Sequence, residues 1–108
     1  MDLKDYIESI PGFPKEGIIF RDVTPILQNA KAMRYCVDQL NAFVKEVGAD
    51  IIVAPEARGF LFGVPVALES GIGFIPVRKP GKLPRETVNE SYDLEYGQDE
   101  LCVHADAI

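Results

Sequence analysis

Ile51-Ile52-Val53-Ala54-Pro55-Glu56-Ala57-Arg58-Gly59-Phe60-Leu61-Phe62-Gly63 is the stretch on which the fold turns. Four apolar, mostly β-branched residues read as a buried strand. Pro55 ends it, and a short turn carrying Glu56, Arg58 and Gly59 hands the chain to a run of helix formers. Downstream, Gly73-Phe74-Ile75-Pro76-Val77 reads as a second strand. Strand, helix and strand with short connections make a right-handed crossover, so the two strands are expected to be parallel. In such sheets ligands bind at the carboxyl ends of the strands, where a helix begins with N–H groups that attract anions. Arg58 adds a permanent, fork-shaped cation suited to phosphate oxygens. The turn thus reads as half of an anion site, with a surface arginine beside an ordinary loop as the plain alternative.

The bulk properties bound the partners. The 108 residues (11.9 kDa) suit one domain, and 47% hydrophobic with 26% charged residues is a globular composition. A net charge of −6 argues against affinity for nucleic acid or an anionic membrane, while leaving room for a local phosphate site. Apolar runs are too short to span a membrane, and Met1-Asp2-Leu3-Lys4-Asp5 lacks the features of a signal peptide, so a cytoplasmic protein is expected. Cys36 and Cys102 have no zinc or redox spacing and read as small apolar residues, on a helix and a strand respectively. No metal-ligating cluster, P-loop or Ser-His-Asp set is present, and the single His104 is given no role.

Outward from the centre, Asp2 caps an expected helix whose Leu3, Tyr6, Ile7 and Ile10 share one face, stopped by Pro11-Gly12. Phe13 to Pro25 reads as a loop around a very short strand. Its Phe13, Ile19 and Phe20 beside Lys15, Arg21 and Asp22 could hold a planar heterocycle or could simply pack the first helix. Asn29 caps a long helix, Ala30 to Val47, whose stripe of Met33, Val37, Leu40, Val44 and Val47 reads as core, and Gly48 ends it. Pro65 either kinks the helix after the central turn or marks a later start. Arg78, Lys79, Lys82 and Arg85 crowd a Pro- and Gly-rich loop; a solvated loop is the usual reading of such a run, yet its place on the same rim as Arg58 makes convergence on a polyanion reasonable. Alternation at Tyr92, Leu94, Tyr96 and then Leu101, Val103 reads as a hairpin, with Gly97-Gln98-Asp99 able to turn and Glu95 facing away from the tyrosines.

Taken together, the run Phe13-Pro14-Lys15-Glu16-Gly17-Ile18-Ile19-Phe20-Arg21-Asp22-Val23-Thr24-Pro25, the turn Ala57-Arg58-Gly59-Phe60-Leu61-Phe62-Gly63, the loop Arg78-Lys79-Pro80-Gly81-Lys82-Leu83-Pro84 and the hairpin Ser91-Tyr92-Asp93-Leu94-Glu95-Tyr96-Gly97 closely resemble the adenine phosphoribosyltransferase family. The resemblance implies an α/β, type I phosphoribosyltransferase fold: a parallel sheet flanked by helices, an N-terminal hood and a β-hairpin. It implies transfer from phosphoribosyl pyrophosphate to adenine, giving AMP and pyrophosphate, with Mg2+ bound mainly through the pyrophosphate. Residues 1–28 would form the hood and adenine side, with 29–108 the first part of the core. On the same analogy Phe13, Ile19 and Arg21 serve adenine. Ala57, Arg58, Gly59, Arg78, Lys79 and Lys82 bind the pyrophosphate portion, Lys82 from a closing loop. Glu95 is the implied proton-transfer group and Tyr96 a gate, alongside Arg58 as catalytic residues. A cytoplasmic homodimer is implied for the complete enzyme.

The family's strand ending in paired aspartates, with its Thr/Gly-rich ribose-phosphate loop, would follow His104-Ala105-Asp106-Ala107-Ile108, and Ala105 stands where a lysine is usual. The expectation is therefore a single incomplete domain over 1–108, inactive alone. A non-catalytic short homologue that binds purine or regulates a partner is the alternative.

Overall fold

A computed structural model describes residues 1–94 and 97–108. They fall into two compact units, Met1–Glu46 and Val47–Ile108.

The first unit opens on a 3-10 turn, Leu3–Tyr6, capped by Asp2, whose Oδ1 accepts from the Lys4 N–H at 3.0 Å. The expected amphipathic helix goes no further. Ile10 lies instead in strand β1 (Glu8–Pro11), antiparallel to β2 (Ile19–Asp22), with Ile10 opposite Phe20. Two local forces favour this outcome: the residue before Pro11 is driven towards extended backbone, and β-branched Ile7 and Ile10 suit a strand. Gly12 and Gly17, at φ +75° and +88°, flank the reversal. Helix α1 (Thr24–Gln28) follows, with Pro25 in its first turn and Asp22 accepting from the Thr24 N–H at 2.9 Å. Asn29 caps α2 (Ala30–Val47) as expected, its Oδ1 accepting from the Ala32 N–H at 3.0 Å. The stripe expected as core is only partly so. Ala32 and Val37 are buried, Met33 and Val44 half-buried, and Leu40 and Val47 exposed. An 18-residue helix is about 27 Å long and outreaches the four- and five-residue elements of its unit.

In the second unit β3 (Ile51–Pro55) and β4 (Gly73–Val77) pair in parallel, Ile51 opposite Gly73 and Pro55 opposite Val77. Between them α3 runs unbroken from Arg58 to Ser70 with Pro65 inside it, which settles where the helix starts. Gly71 ends α3 at φ +72°, and the next N–H, of Ile72, returns to the Ala67 carbonyl at 3.0 Å. Val66, Ala67 and Ile75 are buried here. The expectation of a buried strand is met on one face only: Ile51 and Val53 stay exposed, Val53 by 48%, while Ile52 and Ala54 are half-buried. With one helix on one face, alternate side chains find cover and the others do not.

A hairpin completes the unit, β5 (Thr87–Leu94) antiparallel to β6 (Gly97–His104). The register closes on Leu94 opposite Gly97, so Gly97, Gln98 and Asp99 belong to β6 and not to a turn. The alternation of side chains in this stretch fixes a period but not where the pairing starts. The hairpin is tied to the end of β4 by a reciprocal bridge. The Arg78 N–H donates to the Cys102 carbonyl at 2.9 Å, and the Cys102 N–H donates to the Arg78 carbonyl at 2.8 Å. Cys36 and buried Cys102 are free thiols on a helix and a strand, and burial raises the pKa of both. No helix among the described residues is long and apolar enough to cross a membrane.

Candidate active site

Parallel pairing sets the carboxyl ends of β3 and β4 side by side, and the Glu56 N–H donates to the Val77 carbonyl at 3.0 Å. Glu56-Ala57 therefore leaves β3 beside the point where Arg78-Lys79 leaves β4. The Glu56–Ala57 peptide is cis, and Ala57 is the N-cap of α3. Gly59 lets the helix start close against the strand end, because a Cβ there would stand 3.0 Å from both Ala54 Cβ and Pro55 Cδ. The structure brings together Ala57, Arg58, Gly59, Arg78 and Lys79 at one end of a two-stranded parallel sheet, beside the first turn of a helix. That is the arrangement for binding an anion.

The cations in the loop are not bare. Arg78 Nε donates to Glu56 Oε1 at 3.2 Å, and the Lys79 N–H donates to the same oxygen at 2.8 Å. Arg78 Nη1 reaches the Lys82 carbonyl at 3.4 Å, and the Lys82 N–H turns back to the Lys79 carbonyl at 3.3 Å. Lys82 itself is exposed. The fourth cation of the run, Arg85, pairs with Asp106 at 2.6 Å and meets His104 Nδ1 at 3.3 Å. Lys79 Nζ donates to the Tyr92 hydroxyl at 2.9 Å and to Asp99 Oδ2.

Glu56 is the residue that sequence reading left without a role. It is an anion among the cations of the rim, and through one oxygen it holds the Arg78 guanidinium and the Lys79 backbone amide. The Lys79 N–H, followed by the Arg78 guanidinium, holds its carboxyl below the usual range. A group with a depressed folded pKa stabilises the protein above its unfolded value, about 4.3 for glutamate, and that contribution disappears as pH falls through the folded value. Wild type is therefore expected to lose more stability to urea between pH 7 and pH 3 than Glu56→Gln does. Equal losses would show that the carboxylate does not support the rim.

In the first unit Ile19 and Arg21 project from the same face of β2, and Arg21 Nη1 donates to Ser9 Oγ across the strand pair. Lys4, Ile7, Ser9, Arg21 and Val23 line a cleft of about 460 Å³. Phe13 is half exposed and meets the Phe20 ring edge-on, with centroids 5.2 Å apart. Phe20 belongs to the opposite face of β2, so Phe13 is grouped with Phe20 rather than with Ile19 and Arg21. Glu95 and Tyr96, expected as proton-transfer group and gate, lie outside the described residues.

Comparison with known proteins shows what the chain is similar to. An adenine phosphoribosyltransferase of Clostridium acetobutylicum is 61% identical over all 108 residues, which cover 63% of that protein, and one of Alkaliphilus oremlandii is 57% identical over the same span. Along its whole length the chain is similar to adenine phosphoribosyltransferases. It spans about 63% of the length of the curated relatives it matches. No protein-family model matches it. Among solved adenine phosphoribosyltransferases, that of Thermoanaerobacter pseudethanolicus superposes with a TM-score of 0.92 at 54% identity, over 97% of this chain and 61% of that one. The Saccharomyces cerevisiae enzyme, solved with adenine and an imino-altritol bisphosphate, gives 0.94 at 42% identity, over 98% and 62%. The fold is accordingly that of a partial type I phosphoribosyltransferase, a mixed α/β chain with a parallel sheet.

Proposed function

We propose that this chain carries the adenine and pyrophosphate side of an adenine phosphoribosyltransferase, which converts adenine and phosphoribosyl pyrophosphate to AMP and pyrophosphate. The observation that carries the reading is the rim itself: Ala57-Arg58-Gly59 and Arg78-Lys79 stand together at the carboxyl ends of paired parallel strands. Identity of 61% over all 108 residues to an adenine phosphoribosyltransferase supports it.

In this reading Arg58, Arg78, Lys79 and Lys82 bind the pyrophosphate portion, with the Ala57 and Gly59 backbone. Departure of pyrophosphate leaves positive charge on the ribosyl carbon and negative charge on the leaving oxygens. Cations and amides already aimed at those oxygens lower the barrier because they need not reorganise. Phe13, Ile19 and Arg21 serve the purine, Glu95 moves a proton on it, and Tyr96 moves as the Lys82 loop closes and excludes water. Magnesium belongs to the proposal as an ion carried by the pyrophosphate. Among the described residues no group of three or more His, Cys, Asp and Glu side chains could hold one. A cytoplasmic, homodimeric enzyme is part of the same proposal.

AMP formation tests it. The purified chain, and a chimera completed with the segment of the Clostridium acetobutylicum relative that it does not match, are supplied with adenine, phosphoribosyl pyrophosphate and magnesium. AMP from either supports the reading. A folded chimera that makes none sinks it, whereas AMP from the chain alone would overturn only the expectation that it is inactive by itself.

A further inference from the structure

Lys79 is held at its two ends by different elements. Its backbone N–H bonds Glu56 at the strand ends, while its side chain lies over the hairpin, with Nζ 5.5 Å from the Tyr92 ring centroid. Tyr92 and Asp99 are directly opposed in the β5–β6 register. The Tyr92 hydroxyl donates to Asp99 Oδ2 at 3.2 Å, and Asp99 Oδ1 accepts from the Glu100 N–H at 2.8 Å. Asp99 is thus fixed by the hairpin, and the long, rotatable stem of Lys79 is the part that can leave. An ammonium has three donors, and Tyr92 and Asp99 take two of them.

The third donor can meet a phosphate oxygen, but a ligand gains more than one donor of Lys79 only by drawing them away from this pair. We propose that Asp99 is an affinity-determining residue, an internal counterion that competes with a diphosphate ligand for Lys79. The inference rests on reading the rim as a diphosphate site. The two charges are matched: Asp99, then Tyr92, raise the Lys79 pKa above the ordinary lysine value, and Lys79 lowers that of Asp99. Both side chains keep about a third of their surface in solvent, 39% and 31%, so the competition is modest. Exposed pairs of this kind shift equilibria by about two- to fivefold.

Calorimetric binding of inorganic pyrophosphate to the full 108-residue chain at low salt tests the idea without requiring catalysis. Asp99→Asn is expected to tighten binding about two- to fivefold, and the gain is expected to vanish in a Lys79→Ala background. Asp99→Glu should restore the wild-type affinity. Asp93→Asn, the same charge change at an exposed hairpin aspartate bonded to Gln98, should not reproduce the effect. Loss of a structural support would weaken binding, so the sign separates the two roles. Should Asp99→Asn misfold, Tyr92→Phe removes only the hydroxyl and is expected to move affinity the same way by less. Unchanged or weaker binding by Asp99→Asn, with wild type binding normally, overturns the counterion and leaves the diphosphate site standing. Failure of every variant and wild type to bind pyrophosphate overturns both.

Discussion

Arg58→Ala is expected to lower AMP formation by about 10²–10³-fold, the usual cost of removing one fixed donor from a site where charge develops, while leaving adenine affinity unchanged. Arg58 is the first residue of α3 and follows the carboxyl end of β3, at the turn where the helix's first amides begin. The residue is exposed, and truncating an exposed side chain moves stability by about 0.5 kcal/mol or less. The loss should therefore appear in kinetics and in pyrophosphate affinity, not in the melting curve. Arg58→Lys restores charge without the planar fork and should recover only part of the rate. Initial rates of the chimera over a range of phosphoribosyl pyrophosphate concentrations measure this. Unchanged turnover would remove Arg58 from the site.

Gly63→Ala is the substitution expected to damage the fold most for its size. A Cβ at this position would stand 2.6 Å from Phe74 Cε2 and 3.3 Å from Ala54 Cβ. Phe74 has little room to retreat, because Phe60 packs against it edge-on with centroids 5.6 Å apart. Overpacking of this kind costs about 1–3 kcal/mol, of which the better helix propensity of alanine offsets at most about 1 kcal/mol. The urea midpoint should fall, and Leu68→Ala, on a side chain 82% exposed, should leave it nearly unchanged. If Gly63→Ala melts with wild type, α3 does not approach β4 as closely as described. The same approach sets the position of Arg58 four residues after Ala54, so a weakened Gly63 variant should also bind pyrophosphate less tightly.

Much of this was legible because the signals are local. The crossover around Ile51–Val77 follows from strand and helix lengths and the handedness of the connection. The Asn29 start of α2 follows from capping chemistry. Where the reading failed, a local preference met a partner that sequence spacing does not reveal. Ile7 and Ile10 fit a helical face, but β2 offered Ile10 a strand to pair with. Gly97-Gln98-Asp99 has turn chemistry, but hairpin register placed all three in β6. Had that register been read, Asp99 would have been seen opposite Tyr92.

The sequence by itself determined which residues could make an anion site: Arg58 in a strand-to-helix turn, and Arg78 and Lys79 just after the next strand. It did so because periodicity, glycine placement and charge are written along the chain. Only the tertiary structure decided what each cation touches before any ligand arrives. Glu56 holds Arg78 and the Lys79 amide, and Asp99 holds the Lys79 ammonium across 20 residues of sequence. Those contacts depend on strand register and on the bridge between Arg78 and Cys102, which are set by hydrogen bonds between distant segments and leave no mark in the order of the residues.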